Sequence, residues 1–284
     1  MDDAVSPPSY AVTMSLELPT SLSPSKVSAF KECALAFRFA TIDRLPEPPS
    51  EPATKGTLVH AALERLFCLP APDRTPAAAE RCLEQATAVL RADPDFVGLE
   101  LDDEREAAFL ADAGVLLRNY FELEDPRAVN PIGLELKLSV EVCDLTLRCI
   151  IDRLELDAEG GLVVTDYKTG RAPSERYEQS RLGGVHFYAL LCERLFGQRP
   201  VRVQLLHLRE PMAILTVPSA QSTRGLETRV AAIWSAVERA CAQDDFRPKP
   251  GPLCHWCAFQ AHCPAFGGDP SAVRPAPEPL ALVP

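Results

Sequence analysis

Three strand-length segments lie in a row between Ile132 and Lys168 with no helical stretch between them, and they limit what the rest of the chain can build around. In "IGLELKLSVEV" every even position from Ile132 to Val142 is apolar and the odd ones are mostly polar, the period of a strand with one covered face. "LTLRCIIDRLEL" follows Asp144 and "LVVTDYKTG" follows "AEGG", so short turns join all three into an antiparallel meander. A helix at about 174–196, the strand "VRVQLLHL", the short strand "AILTV" and a helix at about 219–243 come next. The expected class is α/β: an αβββαβ core with a mixed sheet, spanning about 130–217, and flanking helices. Upstream, Ser23 and Pro24 open a helix with Cys33 near its end. "TKGTLVHAALERLF" then places Val59, Ala62, Leu63 and Leu66 on one helical face, with His60 at its edge. Amphipathic segments at about 76–92 and 102–123 form an N-terminal helical insert within about 70–125.

A chain of 284 residues can bury a sizeable core, and one elaborated domain over 21–266 is expected. Residues 1–20 and 267–284 are Pro-rich without period and read as flexible extensions. No apolar run approaches membrane-spanning length, and the acidic start lacks a basic region followed by an apolar block, so a cytoplasmic protein is expected. The net charge of −11 argues against a surface built for non-specific nucleic-acid binding and leaves room for a local basic groove. Ten cysteines are too sparse for a disulfide scaffold, which points to metal ligation or plain burial.

The third strand ends in Asp166-Tyr167-Lys168, and residues two apart on a strand share a face. Asp152 is in phase with Ile150, Leu154 and Leu156, which aims it at the apolar side of its own strand. Two inward carboxylates on neighbouring strands repel unless a cation such as Mg²⁺ or Mn²⁺ lies between them. Lys168 beside such a cation can orient an attacking water, and His60 can add a nitrogen ligand that favours Mn²⁺. Each residue also has an ordinary use: Asp-x-Lys as a salt bridge, His60 as a core-edge histidine, Asp152 as the partner of Arg153. Glu135 falls on the polar side of its strand and reads as solvated.

Taken together, "TKGTLVHAALERLF", "IIDRLELDAEGGLVVTDYKTG" and "VHFYALLCERLFG" resemble successive motifs of the PD-(D/E)XK nucleases, in particular the RecB-like exonucleases. The resemblance covers most of the chain from Leu22 to Phe266 and implies a restriction-endonuclease-like core. It implies metal ligation by His60, Asp152, Asp166 and the backbone carbonyl of Tyr167, catalysis by Asp152, Asp166 and Lys168, and substrate binding by Tyr188. The glutamine that this family places one turn before the tyrosine is replaced by Gly184.

"CHWCAFQAHC" supplies Cys254, Cys257 and Cys263, whose spacing alone suits zinc (with His255 or His262) and iron–sulfur ligation equally. RecB-like nucleases of the AddB type pair such a trio with a cysteine of the N-terminal helix. The resemblance therefore implies a four-iron, four-sulfur cluster on Cys33, Cys254, Cys257 and Cys263, with zinc as the alternative. Cys68, Cys82, Cys143, Cys149, Cys192 and Cys241 read as buried packing residues. The function so implied is metal-dependent DNA exonuclease activity on single-stranded ends, in repair or recombination, with a helicase or other recombination protein as the candidate partner. The alternative is a DNA-binding or helicase-partner module of the same fold that cuts poorly.

Overall fold

A computed structural model describes residues 16–142, 144–172 and 183–273. The chain divides into two compact units, one of Ser21–Val27 and Pro46–Val230, the other of the described residues up to Thr20, Ser28–Leu45 and Ala231 onward.

The larger unit carries the sheet, in the order β1 (Pro131–Val142), β2 (Leu145–Leu156), β3 (Leu162–Lys168), β4 (Arg202–His207), β5 (Met212–Thr216). The first three strands are the expected antiparallel meander, β3 and β4 run parallel, and β5 returns antiparallel. A parallel pair needs a crossover. Part of it is the helix α7 (Gly183–Phe196), which is numbered here after α1 (Pro24–Glu32), α2 (Ala34–Phe37), α3 (Glu51–Phe67), α4 (Pro76–Leu90), α5 (Pro94–Val97) and α6 (Asp103–Leu123). The start expected for α7, at about 174, lies outside the described residues. The long final helix, α8, is Ala220–Gln243.

Local chemistry explains where the helices begin. Ser50, Thr75 and Asp102 accept hydrogen bonds from the backbone N–H three residues on, satisfying donors that no helical carbonyl can reach. Asp103, Glu104 and Glu106 add negative charge at the positive end of α6. Behind the sheet, α3, α4 and α6 bury Leu58, Leu63, Leu66, Phe109, Leu116 and Tyr120 in one cluster that also takes in Tyr167, Leu206 and Leu208. Arg74 donates to the carbonyls of Phe67, Leu69, Pro126 and Val129, closing the loop after α3 onto the segment before β1.

The second unit holds the four candidate cluster cysteines. Cys33 is not inside the first helix but occupies the extended residue between α1 and α2. Around the C-terminal trio the backbone makes short 3₁₀ turns, Pro252–Trp256, Gln260–His262 and Pro264–Phe266. Among the described residues no helix is long and apolar enough to cross a membrane.

Candidate metal centre

The register Arg153↔Thr165 and Leu154↔Val164 continues one step to set Asp152 beside Asp166 on the same face of β2 and β3. Both carboxylates are buried, at 8% and 4% exposure. Asp152 was expected to follow the apolar phase of β2, and this needs correcting: Ile150 is exposed, while Leu147, Cys149, Ile151 and Arg153 form the phase that is buried throughout. Asp152 is covered because helices pack on both faces of the sheet at this point. Arg153 is not its ion partner either; the guanidinium pairs with Glu124 and Glu155.

His60 enters from α3. Gly56, one turn earlier on that helix, lets it approach the end of β3, since a Cβ there would stand 3.2 Å from Thr169 Oγ1. His60 Nε2 lies 3.2 Å from the carbonyl oxygen of Tyr167, so an Nε2–H donates there and Nδ1 faces the carboxylates. Nδ1 is 3.6 Å from Asp152 Oδ2 and 3.7 Å from Glu135 Oε1.

Glu135 is the residue that sequence reasoning missed. Expected to be solvated, it is half-buried and completes a trio with His60 and Asp152 whose ligand atoms all lie within 4.8 Å of one another. Two local features re-aim it: a register shift between Pro131 and Gly133, and a left-handed backbone at Glu135 itself, φ 43°. Bulged, strained strand positions of this kind recur beside functional sites.

Asp166 and Lys168 form an ion pair, and Asp166 Oδ1 also accepts the Tyr188 hydroxyl at 3.1 Å. Asp152 Oδ2 accepts the Tyr167 backbone N–H at 2.6 Å. The structure thus gathers His60, Asp152, Asp166, Lys168, Tyr188 and the Tyr167 peptide, with the Tyr167 carbonyl turned to His60. Burial pushes the Asp152 carboxyl up to about 7, the neighbouring Asp166 charge adds to this, and His60 and the Tyr167 N–H oppose it. Burial works against charge on His60, but its hydrogen bond to Glu135 and the charges of Asp152, Glu135 and Asp166 outweigh that and raise its pKa. One nitrogen and several carboxylate oxygens around a partly negative hole are a fitting donor set for a hard to borderline divalent cation.

These motifs match a known profile along most of the chain: that of the PD-(D/E)XK nuclease superfamily aligns with residues 21–264. The chain belongs to this superfamily. The Gene 69 protein of Mycobacterium phage L5 is 23% identical over 295 aligned positions, which cover 86% of this chain and 96% of the phage protein. The crystal structure of a "Putative exonuclease" from Eubacterium rectale superposes with a TM-score of 0.50 at 13% identity, covering 84% of this chain and 87% of that one. That likeness supports the restriction-endonuclease-like fold: a five-stranded mixed sheet with flanking helices, as in this PD-(D/E)XK protein.

In the second unit the Cys257 thiol is pushed up by burial and by the nearby Cys33, Cys254 and Cys263 sulfurs. Cys33 Sγ accepts the Lys249 N–H at 3.5 Å and Cys254 Sγ accepts the Gly251 N–H at 3.3 Å, the kind of donors that stabilise thiolates. Of the six cysteines expected to be buried, Cys82, Cys149, Cys192 and Cys241 are buried. Cys68 is exposed at the C-terminal cap of α3, and Cys143 lies outside the described residues. Gly268 closes the trio's turn, donating to the Cys263 carbonyl at 2.9 Å. A Cβ on it would come within 2.4 Å of the Ala261 carbonyl oxygen, which is backbone and cannot swing aside. Gly268→Ala is therefore expected to cost at least about 2 kcal/mol. Thermal melting checks this, and an unchanged midpoint would refute the close approach.

Proposed function

We propose that this chain is a metal-dependent DNA exonuclease acting on single-stranded ends, in DNA repair or recombination, beside a helicase or another recombination protein. The observation that carries the reading is the meeting of His60, Glu135 and Asp152 next to the Asp166–Lys168 pair. His60, Glu135, Asp152 and Asp166 would hold Mg²⁺ or Mn²⁺, with the Tyr167 carbonyl as a further donor. A divalent cation in that place supplies Lewis-acid polarisation of a phosphodiester and makes water a better nucleophile. The chain's own groups do the rest. Tyr188 donates to one oxygen of Asp166 and fixes that carboxylate, which leaves the other for Lys168 or the cation. Lys168, 42% exposed, can leave Asp166 to orient a water or meet the charge that builds on the phosphate. Tyr188 as a substrate-binding residue acts through this same contact.

The four cysteines of the second unit would hold a four-iron, four-sulfur cluster as a structural tie, with zinc as the alternative. Support for this lies in three thiols, those of Cys33, Cys254 and Cys263, that stand close enough to influence Cys257 although Cys33 is distant from the others in sequence.

A second reading, a module that binds DNA and cuts poorly, draws on Gly184: at the family's glutamine position it has, among the described residues, Pro24 at 4.0 Å from where a Cβ would be, and offers no side-chain donor. End-labelled single- and double-stranded DNA, incubated with Mg²⁺, Mn²⁺ or EDTA, separates the two. Metal-dependent shortening from the ends that is lost in Lys168→Ala is the expected result. Activity that survives both Asp166→Ala and Lys168→Ala would overturn the nuclease reading, and metal-independent binding without cleavage would select the second.

A further inference from the structure

Behind the metal centre lies a buried polar network to which the nuclease chemistry assigns no part. Arg153 is fully buried, and its guanidinium pairs with Glu124 through both terminal nitrogens, the Nη2–Oε2 contact being 2.9 Å. It also donates to the Tyr167 hydroxyl at 2.8 Å and to Thr165 Oγ1 at 3.0 Å, and its Nε stands 2.7 Å from Glu155 Oε2. Thr165 in turn accepts from Gln204 at 2.7 Å, and Tyr120 on α6 donates to Glu124 at 2.6 Å. The Phe67 ring lies under the guanidinium, with its centroid 4.6 Å away.

Tyr167 is where this network meets the site. Its hydroxyl takes the Arg153 hydrogen bond, while its peptide holds both Asp152, through N–H, and His60, through C=O. A residue tied at both ends in this way transmits the position of one set of contacts to the other. The tie begins in the helical insert, since Glu124 directly follows α6 and Tyr120 is on it.

We propose that Arg153, clamped by Glu124 and Tyr120, is a positioning residue that fixes Tyr167, and that the insert thereby sets how tightly the site holds its divalent cation. The inference rests on the nuclease reading for the cation and goes beyond it in giving the insert a part in the site. Groups that orient metal ligands change affinity by about 10–100-fold when lost. A network serving stability alone changes melting and leaves affinity untouched.

The test titrates Mn²⁺ into the full chain and follows free Mn²⁺ by electron paramagnetic resonance, with Tyr167→Phe and Glu124→Gln beside the parent. Tyr167→Phe removes the hydroxyl that Arg153 reaches and keeps the ring and the peptide, whereas Arg153→Met would strip Glu124 and Glu155 of their cation and disturb the fold itself. Both variants are expected to weaken Mn²⁺ about tenfold. The metal concentration for half-maximal DNA cleavage should rise in step, and by a larger factor than kcat falls. Unchanged Mn²⁺ affinity in Tyr167→Phe and Glu124→Gln, with or without a lower melting temperature, overturns the positioning role while the nuclease reading stands. A parent chain that binds no Mn²⁺ overturns both.

Discussion

Asp152→Asn is expected to stabilise the metal-free protein at pH 8 and at the same time to abolish DNA cleavage. The native state holds the Asp152 carboxyl at about 7, against an ordinary value of 3.8, chiefly through burial and then through the Asp166 charge. An acid whose pKa is raised by folding is an acid whose charged form the fold disfavours. Stability is thus lost as pH climbs from the ordinary carboxylate range through about 7, and it is recovered on acidification. The whole interval corresponds to about 4 kcal/mol. The opposing His60 charge is already contained in that net value, so about 4 kcal/mol, or about 10 °C in melting temperature, is there for asparagine to recover. Its side-chain oxygen can still accept the Tyr167 N–H, so the substitution removes charge with little change of shape. The same gain should be absent at pH 4, where the parent carboxyl is protonated. Adding Mn²⁺ should raise the melting temperature of the parent and not that of the variant. Cleavage should fall at least about a thousandfold, equivalent to about 4 kcal/mol of barrier. Equal melting temperatures at pH 8 together with retained cleavage would refute the assignment of Asp152 as a strained ligand.

Protein isolated without oxygen is expected to carry about four irons and four sulfides per chain, and Cys33→Ser to lose most of both. The penalty should be large because Cys33 and the trio are remote in sequence: the contact between Cys33 and Lys249 already spans 216 residues. Closing such a loop costs several kcal/mol of chain entropy, which the ligand bonds offset in the native state and not in the variant. A drop of about 10 °C in melting temperature follows for a protein of this size. Iron and sulfide analysis with calorimetry checks both parts. Stoichiometric zinc with no sulfide would replace the cluster by the tetrahedral alternative, and a metal-free parent that melts like Cys33→Ser would remove the site altogether.

The meander could be read from sequence because alternation in "IGLELKLSVEV" and the short turns after it are local signals. The pairing of Asp152 with Asp166 follows from the same signals, since antiparallel register carries one strand's phase onto the next. Glu135 could not be read this way. A register shift at its own strand's start and a left-handed backbone at the residue break the rule that odd positions face water. A proline and a glycine at 131 and 133 were the available warning. Arg153 was equally hidden: an arginine amid apolar neighbours in β2 reads as exposed or as a partner for the adjacent aspartate, whereas its acid comes from residue 124, in another element. Cys68 shows the opposite limit. A thiol at a helix end looks like packing in sequence, but among the described residues Cys68 is exposed at the cap of α3.

The turn that brings Lys249 against Cys33 also has a consequence for how the protein is made. At about 5–20 residues per second, a ribosome needs roughly 10–40 s after Cys33 emerges to deliver the segment that meets it. Until then Cys33 is a lone thiol on a nascent chain. Any joint use of Cys33 with the trio therefore waits for that segment, and a transcript cut short before codon 254 yields a product without the three cysteines proposed as its partners.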